Sequence, residues 1–326
     1  MSLSATPLVS VIVPAYNVAP YLAECLESAL AQTYTPLEII VVDNNSTDDT
    51  PRIARDYANR YPDRIRLLHQ PVQGAPAARN MGIEHARGEW WQFLDADDLL
   101  LPKKIERQLA LEPTETVPVM VVAGCRYQKY SGSGVYRVDA QAPPLLSALR
   151  GTLGNTVSNL YRRTAIRWDE TLTAGQDLAF IFAYAFAQSI TYSPHVDCLI
   201  RDRPAGQISR QAPPLVLGAV FELRTAMAAA LRSHEPGLAA AHAHSIYAQR
   251  WKMLFRLAQS HPGVALRRYA ELGPPPVAWQ PAAADQIRPL WVRLFRLWSP
   301  RRFFQFVYFT HKIRTRVRAR GDRLVM

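Results

Sequence analysis

Asp95, Asp97 and Asp98 fall within the run Leu94-Asp95-Ala96-Asp97-Asp98, which follows an apolar stretch beginning at Trp90. In an extended chain, side chains two residues apart share a face, so Asp95 and Asp97 point one way and Asp98 the other. Such a pair can hold Mg2+ or Mn2+ and leave coordination positions for phosphate oxygens and water. A cation held there stabilises charge growing on a diphosphate leaving group. An Asp-x-Asp pair alone does not settle the matter, because acids ahead of a helix also act as caps, and a helix is expected from Pro102. Other chemistries are poorly supplied. Cys25, Cys125 and Cys198 stand far apart without a CxxC pair, which argues against a disulfide scaffold or a cysteine metal site. The eight histidines show no zinc-ligand spacing, so His69, His85 and His195 receive no role.

The elements that would carry these carboxylates alternate in type. Strands are expected at Leu8 to Val13, Leu37 to Val42, Ile65 to His69 and Trp90 to Leu94. Helices are expected near Tyr21 to Ala31, Asp49 to Tyr61, Gly74 to His85 and Pro102 to Leu111. This alternation predicts an α/β fold with a mostly parallel central sheet flanked by helices. Ligands in such folds meet the loops at the carboxyl ends of the strands. The polar clusters Pro14 to Asn17, Asp43 to Asp48 and Asp95 to Asp98 all fall there. A further strand is expected in Val117 to Ala123 and a turn at Ser131 to Gly134. From Pro214 to about Tyr269 the chain is Ala-rich and helical, and Gly273-Pro274-Pro275-Pro276 breaks it.

Val11 to Asn17, Ile40 to Thr50, Gly74 to Gly82, and Ala86-Arg87-Gly88-Glu89 running into Phe93 to Asp98 occur in one order over nearly the first hundred residues. Together they resemble the inverting family 2 glycosyltransferases of GT-A fold, especially bacterial enzymes of surface-polysaccharide or glycolipid assembly. The resemblance implies a donor-binding half over 1–116 and an acceptor-binding half of the same domain over 117–211, to which the composition adds a helical extension over 212–280 and a basic aromatic tail over 281–326. It also implies a nucleotide pocket of Pro14, Tyr16, Asn17, Asp43 and Arg79. Tyr16 would pack beside the base, Asp43 would accept a base N–H, and Arg79 would meet base carbonyl or phosphate oxygens. Capping by Asp43 and Asn17, and a solvated Arg79, stand as alternatives. Asp95 is implied to bind donor ribose, and Asp97 to be the principal ligand of Mn2+ or Mg2+. Asp98 would assist through water or stabilise the loop. Asn44 and Asn45 replace residues that are commonly Asp and Gly; Asn tolerates left-handed backbone better than most side chains.

Downstream, Trp168 to Phe180 resembles the family element in which an acidic pair opens a helix below the acceptor site, with Gln176 where Glu is frequent. The resemblance makes Asp177 the general base that takes the proton of an acceptor hydroxyl as its oxygen attacks the anomeric carbon. Direct displacement of this kind needs no enzyme nucleophile. The alternative is an acid placed for the helix dipole. Gln176 and Trp168 are expected to face the acceptor, although a core Trp is an equal reading. Arg201 or Arg203 is expected to neutralise the diphosphate, with a salt bridge to Asp202 as the alternative. The donor is expected to be a nucleotide sugar, UDP-linked, and the acceptor a saccharide or glycolipid.

The net charge of +11 is unevenly spread: residues 288–326 hold ten Arg and one Lys against Asp322 alone, a surplus of +10. Residues 287–298 show a helical amphipathic pattern, and an aromatic run follows at Phe303 to Phe309. The segment 287–320 therefore suits an anionic membrane surface, as a peripheral enzyme on the cytoplasmic face of an inner membrane, or packing within the protein or a homo-oligomer. Nucleic acid is a poor partner. The Met1 to Pro7 start lacks a signal-peptide pattern, so a cytoplasmic enzyme is expected. Two other functions remain from sequence alone: a noncatalytic carbohydrate-binding protein of the same fold and a metal-dependent nucleotidyltransferase.

Overall fold

The computed structural model describes residues 6–111, 119–129, 132–186, 189–202, 213–273 and 299–321. The chain divides into two compact units, Met1–Thr171 with Gln176–Ala205, and Leu172–Gly175 with Gly206–Met326. Arg203 and the amphipathic stretch 287–298 lie outside the described residues.

The first unit opens with β1 (Val9–Ala15), α1 (Ala19–Leu30), β2 (Leu37–Asp43), α2 (Thr50–Arg60), β3 (Ile65–His69), α3 (Ala75–His85) and β4 (Trp90–Phe93). Next come β5 (Leu99–Leu100), α4 (Lys104–Leu109), β6 (Met120–Val122), β7 (Cys125–Lys129), β8 (Gly132–Tyr136), α5 (Pro144–Arg150), β9 (Leu160–Arg162), α6 (Gln176–Phe186), β10 (Ile190–Tyr192) and β11 (Cys198–Arg201). Seven strands form the main sheet in the order β10-β6-β9-β4-β1-β2-β3. β1 pairs in parallel with both β2 and β4, and β10 with β6, while β9 runs antiparallel between β4 and β6. The mostly parallel sheet is thus present, with one reversed strand.

The central position of β1 follows from its sequence. Val9, Val11, Ile12 and Val13 leave almost no surface exposed, and strands covered on both faces read as continuous apolar runs. β3, at the edge, is only partly buried. Helix α3 lies close against β1 because residue 82 is Gly: a Cβ there would intrude into Ile12 Cγ2. That approach decides where Arg79, one turn earlier on α3, is delivered.

A second sheet, β5-β11-β7-β8, was not anticipated from the sequence. Its strand β5 pairs antiparallel with β11, Leu100 opposite Cys198. The segment Leu94 to Asp98 is therefore held at both ends, by β4 in the first sheet and β5 in the second. Beneath it lies Lys104, almost fully buried, which donates through Nζ to Gln92 Oε1 and to Gln108 Oε1, the latter at 2.6 Å. Gln92 Nε2 and Gln108 Nε2 in turn donate to Val157 O and Ser158 O, both at 2.9 Å. This network ties β4 and α4 to the loop between α5 and β9.

The second unit is helical in its described parts: α7 (Pro213–His234), α8 (Pro236–Ala241), α9 (Ala243–Ala258), α10 (Pro262–Leu272) and a last helix, Pro300–Gly321. In the last helix, Phe303, Phe304 and Val307 join the core around Trp251, while Phe309 is 61% exposed. Part of the aromatic run is thus spent on packing. Among the described residues, no helix is long and apolar enough to cross a membrane.

Two outcomes follow. Replacing Gly82 with Ala should overpack the α3–β1 seam and lower unfolding free energy by about 1–3 kcal/mol in urea denaturation. Burial lowers the Lys104 pKa to about 8 from its ordinary 10.5, with the nearby Cys198 and Asp197 opposing the shift. Below that lower value the ammonium is charged in both folded and unfolded chains and bears its desolvation cost. As pH rises towards the higher value, only the unfolded chain keeps its proton, so stability rises. The wild-type unfolding free energy, measured against Lys104→Met as a function of pH, should gain up to about 3 kcal/mol across that window. A flat difference would show that Lys104 titrates normally.

Candidate active site

Three polar loops meet at the carboxyl ends of β1, β2 and β4, and hydrogen bonds between loops fix them. Asn17, at φ 47°, accepts the Thr47 N–H at 2.8 Å through Oδ1 and donates its own N–H to Ser46 Oγ at 3.1 Å. Val18 N–H donates to Thr50 Oγ1 and Ala19 N–H to Asp48 Oδ2, so the loop after β2 caps the start of α1. Asn17 thus binds the neighbouring loop and does not cap α1, whose N-cap position is Val18. Asn45 takes the left-handed conformation, φ 64°, that its substitution for Gly requires. Asn44 is buried and holds the next loop: Nδ2 donates to Gln70 O and Val72 O, and Oδ1 accepts Gly74 N–H.

Around this frame, Pro14 is half-buried within β1 beside Val42 of β2, and Tyr16 is 43% exposed. Asp43 is 5% exposed at the end of β2; its Oδ2 lies 3.3 Å from His69 Nδ1, and its Oδ1 accepts a long bond from Ser46 N–H. Asp43 therefore serves the following turn and meets His69 of β3. His69, which carried no role in the sequence, adjoins it because β2 and β3 are paired in register at Asp43 and His69.

Arg79 is the hub. Its guanidinium is buried, with Nη2 2.6 Å from Asp95 Oδ1 and Nη1 3.7 Å from Asp177 Oδ1. Burial opposes its charge, but Asp95 and Asp177 outweigh that and raise its pKa. The guanidinium carbon stands 4.3 Å from the Trp168 ring centroid, and that ring stacks on Phe180 at 4.1 Å. Asn80 fixes Trp168 by accepting its backbone N–H and donating to its carbonyl, each at 2.9 Å, and also donates to Glu170. Of its two readings, acceptor platform and core residue, Trp168 fits the second: it is 2% exposed and supports Arg79 from within the core.

Asp177 stands at the start of α6, beside the half-buried Gln176. Its side chain is 53% exposed, so a ligand can reach it. Surrounding protein nevertheless desolvates it enough to push the carboxyl above its ordinary pKa; Arg79 opposes the rise, Asp95 adds to it, and the Thr156 hydroxyl opposes it. The open half limits how far desolvation acts.

In the Asp95 to Asp98 segment, Asp95 keeps 33% of its side chain exposed beside Arg79, while Asp97 and Asp98 are buried. Asp98 Oδ1 accepts the Arg201 N–H at 2.9 Å, and its carboxyl is pushed well above the ordinary range by desolvation and by the charges of Asp95 and Asp97. Arg201 Nε donates to Asp97 O at 2.5 Å and its Nη1 pairs with Glu24, with the guanidinium 5.4 Å from the Tyr21 ring centroid. Arg201 is thereby a clamp on the loop, reached from β11. Cys25, buried below, lies 3.7 Å from Asp95 O and has its thiol pKa raised by burial and then by Asp98 and Asp97.

Asp95, Asp97 and Asp98 lie close enough together for the charges of the first two to raise the pKa of the third. Among the described residues no group of three or more His, Cys, Asp or Glu side chains forms a ready-made metal cage. Mg2+ and similar ions held by one or two carboxylates, with substrate phosphates completing the shell, need none. The donor set therefore fits a cation that arrives with a diphosphate.

Similarity to known proteins converges on the same region. The chain is 33% identical over 211 residues to an uncharacterised glycosyltransferase of Rickettsia typhi; the match covers 61% of this chain and 64% of that protein. Two solved structures share the fold. TarS 1-349 of S. aureus in complex with UDP-GlcNAc matches with a TM-score of 0.56 and 22% identity, over 76% of this chain and 72% of that one. The mannosyltransferase PcManGT of Pyrobaculum calidifontis, in complex with GDP-Man and Mn2+, matches with a TM-score of 0.52 and 22% identity, over 95% and 87%. The first unit thus has the GT-A fold. The glycosyl transferase family 2 model matches residues 10–182, more than half of the 326 residues, and the chain belongs to that family.

Proposed function

We propose that this protein is an inverting glycosyltransferase that moves a sugar from a UDP-linked donor to a hydroxyl of a saccharide or lipid-linked acceptor. The observation that carries this reading is the single guanidinium of Arg79 set between Asp95, at the end of the donor-side strand, and Asp177, at the head of α6. Asp177 is open to solvent on one side and held on the other, as a base that must meet a substrate hydroxyl requires. As the acceptor oxygen bonds to the anomeric carbon, Asp177 takes its proton and the bond from that carbon to the diphosphate breaks. The nucleoside diphosphate leaves with the electron pair. A carboxyl pKa raised towards the working pH makes Asp177 a stronger base than an ordinary surface acid.

Residues 1–116 form the donor half in this reading, and 117–211 the acceptor half. The exposed Tyr16 packs beside the nucleobase, Asp43 accepts a base N–H, and Asp95 accepts from the ribose hydroxyls through its open side. Asn17 acts through the loop it clamps. Asp97 would hold Mn2+ or Mg2+, which would supply positive charge to the leaving diphosphate. Asp98 and Arg201 keep the segment carrying Asp97 in place. The UDP-GlcNAc complex of TarS supports a UDP-linked donor, and the Mn2+ complex of PcManGT supports the metal. The surplus of basic residues in 288–326 is proposed to bring the enzyme to the cytoplasmic face of an anionic membrane, where a glycolipid acceptor would be found.

A panel of UDP-sugars with Mn2+ or Mg2+ should yield UDP only when a suitable acceptor is present, and no pyrophosphate. Asp97→Ala should remain folded in thermal melts and lose metal-dependent turnover by at least about 100-fold. Undiminished turnover in that variant would refute the metal assignment. Asp177→Asn should keep donor binding, measured by calorimetry with UDP, and lower kcat by about 100-fold or more, the range of general base contributions. Retained kcat would remove Asp177 from the mechanism.

A further inference from the structure

The loop between α5 and β9 is built with unusual care for a segment without regular structure. Asn159 is fully buried; its Nδ2 donates to Leu153 O at 3.0 Å, and its Oδ1 accepts Ala123 N–H at 3.3 Å. Ser158 Oγ accepts Asn155 N–H at 2.7 Å and donates to Asn155 O at 3.0 Å. Gly154 adopts φ 70°, and a Cβ there would collide with the Asn159 amide. The Lys104 network secures Val157 O and Ser158 O from below. A loop tied this closely still leaves the Thr156 hydroxyl, 1% exposed, without a partner at full hydrogen-bonding geometry. A buried orphan hydroxyl costs free energy and calls for a reason.

The neighbourhood supplies one. The Thr156 hydroxyl faces the Asp177 carboxylate, near enough to favour its charged form though looser than a closed hydrogen bond. The other charged or titratable groups facing Asp177 are Arg79 from α3, Asp95 after β4 and Tyr161 from β9. Arg79 reaches one carboxylate oxygen at 3.7 Å and stabilises charge without being able to fix the carboxylate by itself. We infer that Thr156 is a positioning residue for the base: presented by its rigid loop, the hydroxyl orients the Asp177 carboxylate towards the acceptor and helps to hold it ionised. The inference rests on the reading of Asp177 as the base.

The test replaces the hydroxyl with a methyl group of nearly the same shape, Thr156→Val, beside Thr156→Ser, which keeps the hydroxyl. The Asp177 carboxyl carbon, in protein with isotopically labelled aspartate, is followed by NMR titration and identified by its loss in Asp177→Asn; thermal melts confirm that each variant is folded. Loss of a donor to the charged form raises a carboxyl pKa, so the Thr156→Val midpoint should move up by about one pH unit. The acidic limb of kcat against pH should move with it, while Thr156→Ser keeps the wild-type midpoint. An unmoved midpoint in Thr156→Val, or an equal rise in Thr156→Ser, overturns the inference. Full turnover in Asp177→Asn would defeat the base reading and this inference together, whereas an inactive Asp177→Asn with an unmoved Thr156→Val midpoint defeats only the role of Thr156.

Discussion

A buried guanidinium between two carboxylates constrains everything around it. Taking an arginine out of water costs several kcal/mol unless its charge is answered at good geometry, and Arg79 is answered by Asp95 at 2.6 Å and Asp177 at 3.7 Å. Those acids come from different elements, so the bridge exists only when α3, the end of β4 and the head of α6 are all in register. Gly82 allows α3 to approach β1, Asn80 seats Trp168, and the Trp168–Phe180 stack supplies a flat support for the planar cation. A lysine at position 79 would keep the charge and lose both the fork and the stack.

The loops after β1 and β2 cap each other. The start of α1 is satisfied by Asp48 and Thr50 from the loop after β2, and Asn17 reaches back to Thr47. Asn44 then passes the constraint to the loop ahead of α3. Each bond is worth only about 1 kcal/mol net, but together they remove backbone freedom before any ligand arrives. Tyr16 and Asp43 therefore sit on fixed backbone, and the ordering cost is met during folding and not on binding.

The first hundred residues were legible because strongly apolar strands alternate with helices punctuated by Pro, Gly and Asp. The expected strands and helices differ from those observed by a few residues at their ends. The second sheet was not legible: β5 has two residues, and β8 reads Gly-Ser-Gly-Val-Tyr, which carries a turn signal and no apolar alternation. Asp177 was singled out through motif order, since one acid at a helix start has no distinctive spacing. Trp168 was open to both an acceptor-facing and a core reading because an aromatic next to a site motif does not disclose which of its faces is already occupied. Thr156 gave no signal at all. Its significance depends on a hydroxyl lacking a partner next to a carboxylate twenty-one residues away in sequence, a relation that exists only after folding.

The four acids around the site divide according to which cation each meets. Asp95 shares Arg79 and keeps an open side, and Asp177 shares the same cation from the other direction. Asp98 is answered by the backbone N–H of Arg201 and buried so deeply that its proton is retained far above the ordinary range. Arg201 directs Nε to Asp97 O and Nη1 to Glu24, and so ties the backbone at Asp97 to α1. One acid is thereby turned to holding the loop, and two are tied to a common guanidinium. The Asp-x-Asp segment thus takes its shape from the arginines on either side of it, Arg79 at Asp95 and Arg201 at Asp97 and Asp98.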